Sequence, residues 1–174
     1  MKAVKLIETN RIYSGKVSIR KDKFLLEGKK VEKEIVEHQD SIGIVPVIDT
    51  ESIILVAQYR HAVGKTLLEI PAGKIEEGET PEKAAVREMA EEIGYSGEIE
   101  RLQECYLAPG YSTELMHLFV ATNLKQTKRG ILDDDENIRI RKMKLSTAVK
   151  KCLDGNIKDS KTIAALLAYY SRSK

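Results

Sequence analysis

The chain has 174 residues, 42% of them hydrophobic, which suits one ordinary domain with a real core and excludes a chain disordered throughout. A formal net charge of +2 gives no global pull toward nucleic acid or an anionic membrane surface. The two cysteines, Cys105 and Cys152, stand far apart with no CxxC spacing, which argues against a disulfide framework and for a reducing compartment.

The first residues, MKAVKLIETNRIYSGK, hold no apolar run of signal-peptide length, and the longest apolar stretches are strand-sized. A cytoplasmic protein without a membrane span is expected. Residues 2–40 read as an antiparallel β-meander built from IYSGKVSI, KFLLEG and KKVEKEIVEH, with partial alternation at Lys33, Ile35 and Glu37. SIGIVPVID and SIILVAQYR are continuously apolar, as buried strands are, and the Asp49-Thr50-Glu51 break between them reads as a hairpin turn. LLEIPAGK reads as a further strand ending in a Pro-Ala-Gly loop.

A helix should follow. Thr80 is a good N-cap, Pro81 suits the first helical position, and Gly94 is placed to end the helix in a left-handed turn. ECYLAPGYSTELMHLFVATNL reads as two strands around a Pro-Gly loop, residues 124–136 as a polar loop, and NIRIRKMKL as a strand. Two helices close the chain, Ser146 to Leu153 and Ser160 to about Tyr170. Strands, one helix, then strands and helices define an α+β sandwich.

On a helical wheel, Val86, Met89, Ala90 and Ile93 form an apolar arc expected to face the core. Glu88, Glu91 and Glu92 form another arc, with Ala84 and Ala85 between and beside them; Lys83 and Arg87 lie to one side. Like charges at this spacing cost about 0.2–0.5 kcal/mol per pair in water, and more when partly buried. A hard divalent cation would remove the penalty, since carboxylate oxygens are its preferred ligands. Taken alone, three glutamates also fit a solvated charge run.

The surrounding spacing decides between them. Gly73, Glu79 and the run Arg87-Glu88-Met89-Ala90-Glu91-Glu92-Ile93-Gly94-Tyr95 resemble the Nudix box, the loop-helix-loop signature of hydrolases of nucleoside diphosphates linked to another moiety. Every polar and glycine position of the box is matched; the last, usually aliphatic, is Tyr95. VAQYRHAVGKTLLEIPAGKIEEGE, APGYSTE, and Pro109 fifteen residues after Gly94 are similar to the ADP-ribose pyrophosphatase branch.

The resemblance implies a Nudix-type α/β/α sandwich with a mixed sheet over residues 41–174, preceded by the meander of 1–40. It implies Mg²⁺, with Mn²⁺ as a substitute, held by Glu88, Glu91, Glu92 and the backbone carbonyl of Ala72. Glu79 and Arg87 would form an ion pair fixing the loop against the helix, with Gly73 and Gly94 as structural positions of the box. A water-orienting base is expected from LDDDEN (Asp133 to Glu136), with Glu136 first and Asp134 second, and Glu91 as the alternative. Arg60 is expected to contact phosphate, Glu69 and Glu114 to accept from ribose or base, and Tyr111 or Tyr13 to stack on adenine or simply to pack. His38, His61 and His117 lack metal-ligand spacing. The basic segment from Arg139 to Lys151 alternates with Ile138 and Ile140, which makes it the outer face of a strand rather than a nucleic-acid surface. The expected partner is a nucleoside diphosphate sugar. A homodimer packing through the meander is the implied assembly.

Overall fold

The computed structural model describes residues 4–128 and 138–173, which fall into two compact units. One contains residues up to 40 together with 106–115; the other contains 41–105 and the residues from 116 onward.

The first unit is an antiparallel meander of β1 (Val4–Ser14), β2 (Ser18–Leu26) and β3 (Lys29–Glu37). IYSGKVSI is not one strand. Its middle is the turn between β1 and β2, with Ser14 paired to Ser18 and Tyr13 to Ile19. Small Ser14 and Gly15 inside a β-prone run are what break it. β1 is exposed along its whole length. The segment 106–115 adds to β3: Val36 N–H donates to Tyr111 O at 2.7 Å, Thr113 N–H to Val36 O at 3.1 Å, and His38 N–H to Thr113 Oγ1 at 2.9 Å.

The second unit contains two sheets. One has the order β10-β5-β6, from β5 (Ser52–Arg60), β6 (Lys65–Glu69) and β10 (Ile138–Lys144). The other has the order β7-β4-β9-β8, from β4 (Ser41–Pro46), β7 (Ala72–Lys74), β8 (Tyr95–Tyr106) and β9 (Leu115–Gln126). The second sheet is mixed, since β4 runs parallel to β9 and antiparallel to β7. The fold is therefore of the expected mixed α/β sandwich class.

Three local readings change. β4 and β5 are not a hairpin: they belong to different sheets and touch through a single bridge, Val47 to Ile53. The Asp49 turn lets the chain change sheets, its Oδ1 accepting from Glu51 N–H at 2.8 Å and Ser52 N–H at 2.7 Å. Those two bonds hold the Asp49 carboxyl below its ordinary pKa. The Pro-Ala-Gly stretch is not all loop, because Ala72–Lys74 pairs with Ser41–Gly43 as β7. β8 begins at Tyr95, well ahead of the ECY expected to start it; as an edge strand it is half exposed and carries a mixed polar sequence.

α1 (Pro81–Ile93) packs on β4 and β7, and α3 (Ser160–Arg172) also packs on β4, so all six residues of β4 are buried. α2 (Leu145–Leu153) rests on α3 and β10. One core joins the two sheets to α1: Ile42, Ile44 and Phe119 from one sheet, Ile54 and Val56 from the other, and Ala84, Ala85, Met89 and Ile93 from the helix. Among the described residues, no helix is long and apolar enough to cross a membrane. Both cysteines are free thiols.

Candidate active site

Thr80 and Gly94 end α1 as the sequence requires. The Thr80 hydroxyl accepts from Lys83 N–H, and Gly94 sits at φ 70°, where a side chain would be strained. The buried face, however, is rotated from the expected arc. Val86 is 41% exposed, Ala90 is only partly buried, and the face turned inward is Ala84, Ala85, Met89, Glu92 and Ile93. Alanines carry little weight on a hydropathy wheel. Their small side chains nevertheless let the helix backbone approach the sheet closely, so they become the true contact face.

That rotation carries the glutamates toward the sheets. Glu92 is 3% exposed and accepts from the Ala72 N–H at 3.2 Å, pinning the last turn of the helix to the start of β7. Glu88 lies directly against Gly73: any Cβ built there would collide with the Glu88 carboxylate. A side chain at 73 would thus displace the Glu88 carboxylate from its place beside the β7 backbone. Glu91 is the most solvated of the three, its side chain 39% exposed.

Arg87 is the hub. Its Nε and Nη2 donate to the two oxygens of Glu79 at 3.1 and 2.9 Å, and Nη2 also donates to the Lys74 carbonyl at 3.0 Å. Nη1 donates to Glu88 Oε1 at 2.8 Å and to Glu91 Oε2 at 3.2 Å. All five N–H groups of the guanidinium are therefore engaged. Arg87 was expected to lie beside the acidic face without offsetting it. Instead its long stem reaches the adjacent residue and the one a turn ahead, and it neutralises part of the cluster. The Glu79 bond is the chief reason the Arg87 pKa stands above the ordinary arginine value, and the same bond holds the Glu79 carboxyl below its own.

Among the described residues, no three His, Cys, Asp or Glu side chains converge as a metal-holding group. The donor chemistry nonetheless fits a hard divalent cation. Glu88, Glu91 and Glu92 offer only oxygens, and Glu88 and Glu91 already share one cation, the Arg87 Nη1 edge.

The expected substrate residues divide. Arg60 and Glu69 meet in a two-bond fork, Nε to Oε1 at 2.8 Å and Nη2 to Oε2 at 2.7 Å. Glu69 does not face a ligand: it is 1% exposed, and Lys161 Nζ also donates to it. Buried, and already accepting three hydrogen bonds from two cations, this carboxylate is not presented to a ribose, contrary to the expected role. Burial pushes the Glu69 pKa up, but the Arg60 bond and the Lys161 charge outweigh it, and the net shift is downward. Arg60 is 40% exposed at its side chain and feels the charge of Glu92.

In the other unit, Tyr111 and Tyr13 are exposed, and the Glu114 carboxylate lies 3.7 Å from His38 Nδ1. His117 is buried beside Glu104, its Nδ1 2.9 Å from Oε1, and His61 stacks edge-on against Tyr59. Asp133, Asp134, Asp135 and Glu136 lie outside the described residues.

Sequence reading missed Lys161, Asp159 and Thr162. Asp159 caps α3, its Oδ2 accepting from Thr162 N–H at 3.0 Å, and its Oδ1 accepts from Lys161 Nζ at 2.9 Å. Thr162 Oγ1 in turn accepts from Ile70 N–H at 2.8 Å. The available signal was a lysine near the start of a helix, where the macrodipole disfavours a cation.

The comparisons agree with this layout. The chain is 37% identical to the ADP-ribose pyrophosphatase of Bacillus subtilis over 93% of this chain and 90% of that protein. It is 36% identical to the methanol dehydrogenase activator of Bacillus methanolicus over 93% and 90%. A crystal structure of an ADP compounds hydrolase superposes with a TM-score of 0.86 at 20% identity, covering 97% of this chain and 92% of that one. Together these define a pyrophosphohydrolase. The NUDIX domain model matches residues 37–166, and the chain belongs to the Nudix family.

Proposed function

We propose that the protein hydrolyses the diphosphate bond of ADP-ribose, or of a similar nucleoside diphosphate sugar, giving AMP and ribose 5-phosphate in the first case. The observation that carries this reading is the charge imbalance at α1. Three carboxylates, Glu79, Glu88 and Glu91, share one guanidinium, and Glu92 on the same helix is almost wholly buried beside Ala72. Such a surplus calls for further cations. Mg²⁺, or Mn²⁺ in its place, would be held by Glu88, Glu91, Glu92 and the Ala72 carbonyl. When bound it would neutralise the diphosphate and lower the pKa of a water.

The chain's own residues do the rest. Arg87 keeps the loop from Lys74 to Glu79 against the helix through its fork on Glu79. Gly73 leaves room for Glu88. The open edge of Arg60 receives a substrate phosphate, a task suited to a planar guanidinium. Glu136 or Asp134 orients the attacking water, with Glu91 as the alternative because it is the most solvated of Glu88, Glu91 and Glu92. Glu114 and Tyr111 are the further substrate contacts. The exposed strand β1 supports a homodimer, and a cytoplasmic location fits the free thiols.

Product analysis with ADP-ribose and Mg²⁺ tests this, run beside GDP-mannose, NADH and nucleoside triphosphates. AMP as the main product from ADP-ribose supports the assignment. Preferred turnover of GDP-mannose moves the assignment to another nucleoside diphosphate sugar, and preferred turnover of a triphosphate overturns it.

A further inference from the structure

Glu69, Arg60, Lys161 and Asp159 form a chain of alternating charge running from the end of β5 to the start of α3. Lys161 is 6% exposed, and it occupies the first turn of a helix. Both placements are unfavourable for an ammonium: burial removes its hydration, and the helix N-terminus is the positive end of the dipole. A buried ionic network is also a weak way to stabilise a fold, since well-packed apolar residues serve as well or better. A residue that breaks two local rules at once points to function.

The geometry shows what that function is. Glu69 spends one edge on the Nε/Nη2 side of Arg60 and shares the same Oε2 with Lys161. Among the described residues, Nη1 of Arg60 makes no hydrogen bond, and the side chain is 40% exposed. Without Lys161, the buried carboxylate would place its whole charge on Arg60 and cancel the guanidinium's attraction for an anion. With Lys161, Glu69 orients Arg60 while part of its charge is met elsewhere. Asp159 sets the opposite bias by drawing on Lys161.

We propose that Lys161 is a positioning residue for substrate binding, which holds the Glu69 carboxylate so that Arg60 presents an oriented and electrostatically unspent edge to the substrate diphosphate. This rests on the reading of Arg60 as the phosphate contact. The effect is on affinity, not on the bond-breaking step.

The test is a double-mutant cycle on binding, read by calorimetry in EDTA so that nothing turns over. The probes are ADP-ribose and, separately, inorganic pyrophosphate. Arg60→Ala and Lys161→Met should each weaken binding about tenfold, and Lys161→Met should add less than about twofold once Arg60 is gone, the signature of coupled neighbours. Asp159→Asn, which keeps a helix cap, should bind more tightly than wild type, opposite in sign to Lys161→Met, and unchanged binding counts against the proposal.

An equal loss from Lys161→Met in both backgrounds overturns the proposal, as does weakened binding in Asp159→Asn. So does an Arg60→Ala variant with unchanged affinity. If Lys161→Met fails to fold, the sign of the Asp159→Asn effect decides alone. Wild-type protein that binds pyrophosphate but not ADP-ribose sinks the substrate assignment, while the pyrophosphate cycle still reads the relay.

Discussion

Two charged constellations sit in the same unit and follow opposite rules. Around α1, three carboxylates share one arginine, and part of the cluster is solvated. Around Glu69, two cations and two anions balance, and three of the four are almost buried. On the proposed function, the first is an excess that a divalent cation would complete. The second is complete within the chain and serves to aim one of its members. The lesson is that buried charge alone does not mark a reactive centre; the sign of the remainder does.

Substitutions that remove one charge from each side should separate them. Glu92→Gln keeps the shape and the bond from Ala72 N–H but takes away a metal oxygen's charge. Activity should fall about a thousandfold, several kcal/mol of transition-state stabilisation. Its melting temperature without metal should hold or rise, because a repelling charge is gone. Added Mg²⁺ should raise the melting temperature of wild type and much less that of the variant. A fully active Glu92→Gln would refute the idea of an excess awaiting a cation.

Glu69→Gln should do the reverse to stability. It strands Arg60 and Lys161 and should cost about 3 kcal/mol, the lower end for a broken buried pair because Arg60 is partly solvated. That corresponds to about 6–12 °C in melting temperature for a chain of this size. The gap should depend on pH. Glu69 titrates below its ordinary value in the folded state, so its contribution is full above that value and lost as pH falls through the folded pKa. Wild type and variant should therefore differ fully at pH 7, and the difference should shrink only once the pH falls below the ordinary glutamate pKa of about 4.3.

Smaller effects test the packing. Gly73→Ala places a methyl on the Glu88 carboxylate and should cost about 1–3 kcal/mol, with activity reduced because Glu88 must turn away. Val86→Ser should stay within about 0.5 kcal/mol, since Val86 is 41% exposed rather than in the core.

Much of this was legible in the sequence, and the boundary is physical. The caps of α1 and the spacing of its glutamates are signals within about a dozen residues of one another, and the Glu79–Arg87 pair was implied by the resemblance to the Nudix box. Periodicity and capping chemistry read such distances well. The inward face of α1 was misjudged because a wheel weighs side-chain hydropathy, whereas close packing favoured Ala84 and Ala85. The exchange of sheets at Asp49 was invisible, since each strand's own pattern is the same whichever neighbour it takes. The Glu69–Lys161 contact joins residues 92 apart, and no local pattern reports it.

That separation has a consequence for synthesis. When β6 leaves the ribosome, Lys161 is still 92 residues from being made, an interval on the order of 5–20 s at ordinary elongation rates. During that time Glu69 lacks its ammonium and Ile70 lacks the hydroxyl of Thr162. The carboxylate will stay hydrated, and the strand end that bears it cannot seat. The pairing that orients Arg60 is thus incomplete until translation has passed the third helix, so a stalled nascent chain carries the whole acidic helix without the network around Glu69.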